Sequence, residues 1–242
     1  MNLKFKEHLD WRVKNIVLKA KKVVVFIVEG ISDRVSLAHV VASLNKDKRI
    51  FFQIVAADIT SDFDTSNMNV IKKINAQVKE CMMKQHFNKN DIIKIVHLVD
   101  TDGVFVPSSS VIYSESVRIK YSDEWIETND VEKIRDRNKR KSSILNRLSS
   151  TSAINNIPYE IYYFSTNIEH VLHNIQNAKD NEKMALAEKF EDEYYNNPTQ
   201  FLNFINGEFS LKDGYRSSWD YIKEENNSLK RYTNFNQFFM SK

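Results

Sequence analysis

The sequence predicts an α/β protein, a Rossmann-like and mainly parallel sheet flanked by helices, with a helical extension at its C-terminal end. Three observations carry this. Residues 23–28, VVVFIV, form a continuous apolar run closed by Glu29-Gly30, the pattern of a strand buried on both faces. Two further β-rich runs, 50–56 and 92–99, are separated by stretches with helical spacing, giving the order strand, helix, strand, helix, strand. Four glycines and three prolines in 242 residues are too few for an all-β protein with many tight turns.

Taken in order, residues 1–22 place Phe5, Leu9, Val13, Ile16 and Ala20 at helical spacing among lysines, which predicts an amphipathic helix packed on the sheet; a basic membrane-surface helix is the alternative. After the first strand, Ser32 or Asp33 is suited to cap a helix with the face Val35, Ala38, Val41 and Leu44. A polar stretch with Asp58, Asp62 and Asp64 follows the second strand, and these read as turn formers. A helix spans about 68–86, with Val70, Ile71, Ile74, Val78 and Met82 inward and Cys81 beside them. The third strand ends in Asp100-Thr101-Asp102-Gly103. Residues 104–128 alternate weakly, as a hairpin or an excursion over the sheet edge. Helical spacing returns over 129–150 with Val131, Ile134, Leu145 and Leu148. A strand at 159–164 leads into a short helix. Beyond about 176 the chain reads as helical, with faces Met184, Ala187, Phe190 and Tyr194, then Phe201, Leu202 and Ile205, then a last helix through Trp219, Ile222 and Leu229. The division predicted is an α/β domain over 1–175, with an insertion at about 104–150, and a helical extension over 176–242.

Composition bounds the function. The hydrophobic fraction is 42% and the aromatic fraction 12%, which argues against disorder. A net charge of +3 requires any affinity for nucleic acid to come from local clustering. The single cysteine excludes an internal disulfide framework and fits a reducing compartment. Without a signal-like leader or a run of membrane-spanning length, a soluble cytoplasmic protein is expected.

The chemistry is carried by carboxylates at strand ends. Glu29 closes the first strand and Asp33 stands four residues later; Asp100 and Asp102 close the third. Residues two apart in extended chain point the same way, so both aspartates are expected to face one cation. Clustered carboxylates are hard oxygen ligands suited to Mg²⁺ or Mn²⁺, and without a cation they repel one another. The bland alternative is a helix cap and an Asp-rich turn.

VEGISD, residues 28–33, resembles the first motif of the TOPRIM superfamily, and DTDG, residues 100–103, its Asp-x-Asp motif at a later strand end. The resemblance covers roughly 20–175. Within it, STNIEHVLH, residues 165–173, is similar to a segment of small bacterial RloB-like and OLD-like nucleases. The resemblance implies a TOPRIM fold and a Mg²⁺- or Mn²⁺-dependent nuclease acting on DNA or RNA with two cations, in bacterial antiphage defence or abortive infection. By position, Glu29 would be a metal ligand or general acid/base, Asp100 and Asp102 metal ligands, and Asp33 and Glu169 holders of a second cation. Val104 departs from the longer Asp-x-Asp-x-Asp pattern, and no tyrosine stands out as a nucleophile, so hydrolysis is favoured over strand passage.

Basic residues on the 129–150 helix supply candidate phosphate contacts: Lys133, Arg137, Lys139, Arg140 and Lys141. One of the last three is expected to point inward, and the sequence does not choose among them. A solvated helical face is the alternative. His97 inside a strand reads as core; His170 and His173 lie beside Glu169, with packing the simpler role. A second functional class is a regulatory module that holds a cation or nucleic acid without cutting, while a partner such as an ATPase triggers or performs the activity, since OLD-like nucleases carry an ATPase in the same chain. Homodimerisation through the helical third is an expectation of the same kind.

Overall fold

The computed structural model describes residues 22–44, 47, 50–116 and 118–240. The predicted helix over 1–22 therefore lies outside the described residues apart from Lys22. The central sheet has the order β2-β1-β3-β8-β7, built from β1 (Lys22–Val28), β2 (Ile50–Ala56), β3 (Ile92–Asp100), β7 (Ala153–Ile154) and β8 (Ile157–Phe164). Its first four strands run parallel, and β7 folds back antiparallel against β8 at one edge. Crossovers pass through α1 (Ile31–Ser43), α2 (Val70–Gln85) and α3 (Val131–Ser149). All four parallel strands therefore end on one edge of the sheet.

Strand β1 is buried on both faces, and its side chains divide by alternation. Val23, Val25 and Ile27 join the core under α2 and α3, with Ile74, Val78, Leu145 and Leu148. Val24, Phe26 and Val28 join the opposite core with Leu37, Val40 and Val41 of α1. At roughly 25 cal/mol per Å² of apolar area, a strand contributing to two cores adds more per residue than one with a wet face.

The excursion at 104–128 is a separate three-stranded sheet of β4 (Val111–Tyr113), β6 (Ile126–Thr128) and β5 (Lys120–Tyr121). The Asn177 side chain pairs with the backbone of Tyr121 in both directions at 2.8 Å and so ties this sheet to the chain ahead of the later helices.

The C-terminal region is woven into both cores. After α4 (Ile168–His173) come α5 (Asp180–Tyr194), α6 (Pro198–Ile205), α7 (Tyr215–Tyr221) and α8 (Asn236–Met240). Trp219 and Ile222 enter the α2/α3 core, while Phe190, Phe201, Phe235 and Phe238 enter the other. Two expectations are corrected here. Met184 is 40% exposed, and the buried face of α5 runs through Ala187, Phe190 and Tyr194 without it. The helix through Trp219 stops at Tyr221, and Leu229 lies in a turn-rich segment packed under the small sheet with Ile126 and Ile134.

Candidate functional site

The alternation that divides the core also sorts the predicted acids. Glu29 continues the parity of Val25 and Ile27 and reaches α3. Asp100 continues that of Val96 and Leu98, toward α1 and α4. Asp102 does not share Asp100's direction as extended chain would require. It has a left-handed backbone (φ 50°), followed by Gly103 (φ 64°), so the strand turns sharply between the two aspartates. The turn is laced down: Thr101 N–H donates to Phe164 O (2.9 Å), Asp102 N–H to Thr166 O (2.8 Å) and Thr101 Oγ1 to Ser228 O (3.1 Å). A Cβ added at Gly103 would stand 2.5 Å from Leu229, so close approach and positive φ both require glycine there.

One lobe of the site is built on Lys141. Its ammonium donates to Asp102 Oδ2 at 2.6 Å and to Ser61 Oγ at 2.9 Å, and lies 3.4 Å from Glu29 Oε1. The lysine side chain is fully buried, Glu29 is 11% exposed and Asp102 24%. Thr60 Oγ1 also donates to Glu29. Burial raises the Glu29 pKa to about 7, with Asp102 and Asp58 adding to the rise and Lys141 and Thr60 opposing it. Asp102 is likewise pushed up by burial, but Lys141 and Arg137 outweigh this and hold it below the usual range. Burial works against the Lys141 charge, and the two carboxylates overcome it, so its pKa stands above the usual value.

The other lobe holds Asp33, Asp100 and Glu169. Asp33 stands in the first turn of α1, whose N-cap residue is Gly30; its carboxylate accepts from Gly30 N–H (2.8 Å) and Ser32 Oγ (3.2 Å). The cap predicted at Ser32 or Asp33 is thus shifted, with Asp33 serving the helix start from inside. Asp33 is raised chiefly by burial. Glu169, 3% exposed, is also raised by burial, offset by the Lys183 ammonium 3.6 Å away, and its Oε2 is buried without a partner. Asp100 is the meeting point. Burial raises it well above the usual range, and Glu29, Asp33, Asp102 and Glu169 all push it further. No described residue donates a hydrogen bond to its carboxylate.

The five acids are therefore near enough to perturb one another without converging on a single point. As the side chains stand, no group of three or more His, Cys, Asp or Glu among the described residues could hold a metal ion. Lys141 fills the space between Glu29 and Asp102. The donor chemistry nevertheless fits a hard divalent cation, being carboxylate oxygen throughout, with the orphaned Glu169 Oε2 and the undonated Asp100 as free valences.

The predicted cations divide as well. Lys133 and Lys139 are exposed on α3. Arg137 turns inward, donating to Tyr121 Oη (3.0 Å) and to the backbone oxygen of Asp102 (2.9 Å). Arg140 holds the loop after β2 through Ser61 O (3.1 Å) and Phe63 O (3.2 Å), with its guanidinium 5.4 Å from the Phe63 ring centre. Of the three consecutive cations, Lys141 is the buried one. The signal was present in the sequence, since Ile134, Lys141 and Leu148 are seven apart and share a face. Thr60, Ser61 and Lys183 were missed. Only Lys183 carried a signal, standing four residues before Ala187 on the α5 face.

The remaining candidates behave as turn or core residues. Asp58 accepts from Ser61 N–H, and Asp62 accepts from Asp64 N–H and pairs with Lys73 at 2.6 Å. His97 is fully buried with Nδ1 2.9 Å from Tyr159 Oη. His173 packs edge-on against Phe190. Cys81 is a buried thiol whose pKa burial pushes up to about 12, which makes it inert. No helix of the described residues is long and apolar enough to cross a membrane. Comparison with family models, curated proteins and solved structures gives no match to this chain.

Proposed function

We propose that this protein is a Mg²⁺- or Mn²⁺-dependent nuclease that hydrolyses phosphodiester bonds of DNA or RNA. The observation that carries the reading is Asp100. A half-buried carboxylate that feels four others, at the carboxyl edge of a mainly parallel sheet, is unstable alone and is relieved by divalent charge. With Lys141 displaced and the side chains turned toward one another, Glu29, Asp100 and Asp102 would hold one cation, and Asp33, Asp100 and Glu169, likewise turned, a second. Bound there, such ions supply Lewis-acid activation of water and stabilisation of the leaving oxygen.

The chain's own residues supply the rest. Lys141, fully buried, holds Glu29 and Asp102 in place until a cation enters. Arg137 fixes the Asp102 turn through its carbonyl. Thr60 and Ser61 orient Glu29 and Lys141, and Lys183 keeps the Glu169 lobe from accumulating unmatched charge. The VEGISD and DTDG motifs and the order of elements agree with a TOPRIM assignment, and the antiphage role rests on that resemblance.

Lys141 also favours a second reading. With its ammonium between Glu29 and Asp102, the site is closed by an internal cation, as expected of a module that acts only once a partner or nucleic acid shifts that lysine. A cleavage panel over plasmid, single-stranded DNA, tRNA and total RNA, with Mg²⁺, Mn²⁺ and EDTA arms, separates the readings. Metal-dependent cleavage that disappears in Asp100→Asn and Glu29→Gln supports the nuclease; cleavage that persists in EDTA or in those variants overturns it.

A further inference from the structure

The helix that sends Lys141 into the acidic site presents another face to a groove, and the groove begins where the acidic turn ends. It has a volume of about 450 Å³, within the ~300–1,000 Å³ of clefts that hold small ligands. One wall comes from the chain just after Asp102-Gly103, where the half-buried Phe105 is backed by the buried Val104, Val106 and Val111. The facing wall is polar and comes from α3, with Asn138, Lys139, Ser142 and Asn146, and Lys223 closes one side. Neither Lys139 nor Lys223 forms an ion pair with a described residue, and Asp136 is the one acid of the lining. Arg135 braces the two walls, donating twice to Ser108 O (3.0 and 3.2 Å).

The groove is coupled to the acids by a short chain of contacts. Asn138, in its wall, accepts from the Arg137 guanidinium (2.7 and 3.1 Å), and the same guanidinium donates to the Asp102 carbonyl. A ligand in the groove therefore lies against the residues that position the Asp102 turn. An apolar wall facing unpaired cations suits a ligand with one flat apolar face and one anionic edge. Bases stack on the first while phosphates meet the second. Continuous duplex offers phosphates and base edges but no flat base face, because its bases are stacked on one another inside.

We propose that this groove holds unpaired nucleotides flanking the scissile phosphate, so that the substrate is single-stranded nucleic acid or an unpaired segment. This rests on the nuclease reading for the word substrate, but the binding it describes does not. Lys139 and Lys223 contact phosphates, the half-buried Phe105 ring receives a base, and Asn138 reports occupancy to Arg137.

The test measures binding of the full chain in EDTA, by fluorescence anisotropy, to a labelled ten-nucleotide single strand and to a duplex of the same sequence. The single strand should bind more tightly. Lys139→Glu with Lys223→Glu, which alters only surface charge, should weaken it about tenfold or more and lower the salt slope by about 1.4, at ~0.7 per phosphate contact on a single strand. Ser142→Trp, which fills the groove without changing charge, should weaken single-strand binding while thermal unfolding shows the fold retained. Equal affinity for duplex, or wild-type binding by both the charge-reversed and filled proteins, overturns the proposal. Cleavage unchanged by Ser142→Trp overturns the groove and leaves the nuclease standing; groove-dependent binding without cleavage of any substrate supports the groove and removes the nuclease.

Discussion

The two lobes of the acidic site solve the same electrostatic problem differently. In the α3 lobe, Glu29 and Asp102 share a fully buried ammonium, and Asp102 is held ionised. In the α1/α4 lobe, Asp33, Asp100 and Glu169 share the half-buried Lys183 at 3.6 Å from Glu169 alone, and all three carboxyls are raised. One lobe is internally neutralised and the other is short of positive charge. The first is a structural ion pair that chemistry would have to open, and the second is where added cations gain most.

The largest effect should come from removing the buried ammonium. Lys141→Met leaves Glu29 and Asp102 unmatched in low dielectric, and the expected loss is about 3–5 kcal/mol, seen as a lower urea midpoint. Asp102→Asn should be milder, at about 2 kcal/mol, since it deletes one charged hydrogen bond while Glu29 remains near the lysine. Asp100→Asn breaks the pattern. It removes a repelled charge without altering shape, so its midpoint should equal or exceed that of the wild type while the proposed metal-dependent cleavage is lost. An Asp100→Asn protein as destabilised as Asp102→Asn would show that the lobes are alike.

A pH-dependent effect concerns His97, a buried neighbour of Lys141. His97 lies on β3 and shares the α3 side with Ile95 and Val99, and burial depresses its pKa to about 3. A histidine depressed on folding contributes stability that is fully present above its unfolded pKa, near 6.5, and is lost as pH falls toward 3. Over that window the wild type should lose up to about 1.4 kcal/mol per pH unit from this group. His97→Gln, which cannot titrate, should show a shallower acid limb in urea titrations; an unchanged limb means His97 is not buried neutral.

The fold was legible where one principle dominated. VVVFIV could be buried on both faces only inside a parallel sheet, and β2 follows from the β-branched and aromatic residues of IFFQIVA. The five acids were legible through their place at strand and helix ends. Three things were not. The split between Asp100 and Asp102 depends on a left-handed backbone at a non-glycine residue, and the period-2 rule fails there although Asp-Gly hinted at a turn. The choice of Lys141 from Lys139-Arg140-Lys141 needed the heptad from Ile134 through to Leu148. The C-terminal region read as an appendage because helical periodicity says nothing about which core a face joins, yet Trp219 and Phe235 sit on opposite sides of the sheet.

The α1/α4 lobe is short of positive charge, and divalent cations are proposed to bind there. Isothermal titration of the metal-free protein with Mn²⁺ tests it most directly, comparing wild type, Asp100→Asn and Asp102→Asn. Binding by the wild type that is abolished in Asp100→Asn and weakened in Asp102→Asn is the predicted result. No binding up to millimolar Mn²⁺, or binding that Asp100→Asn leaves unchanged, contradicts it.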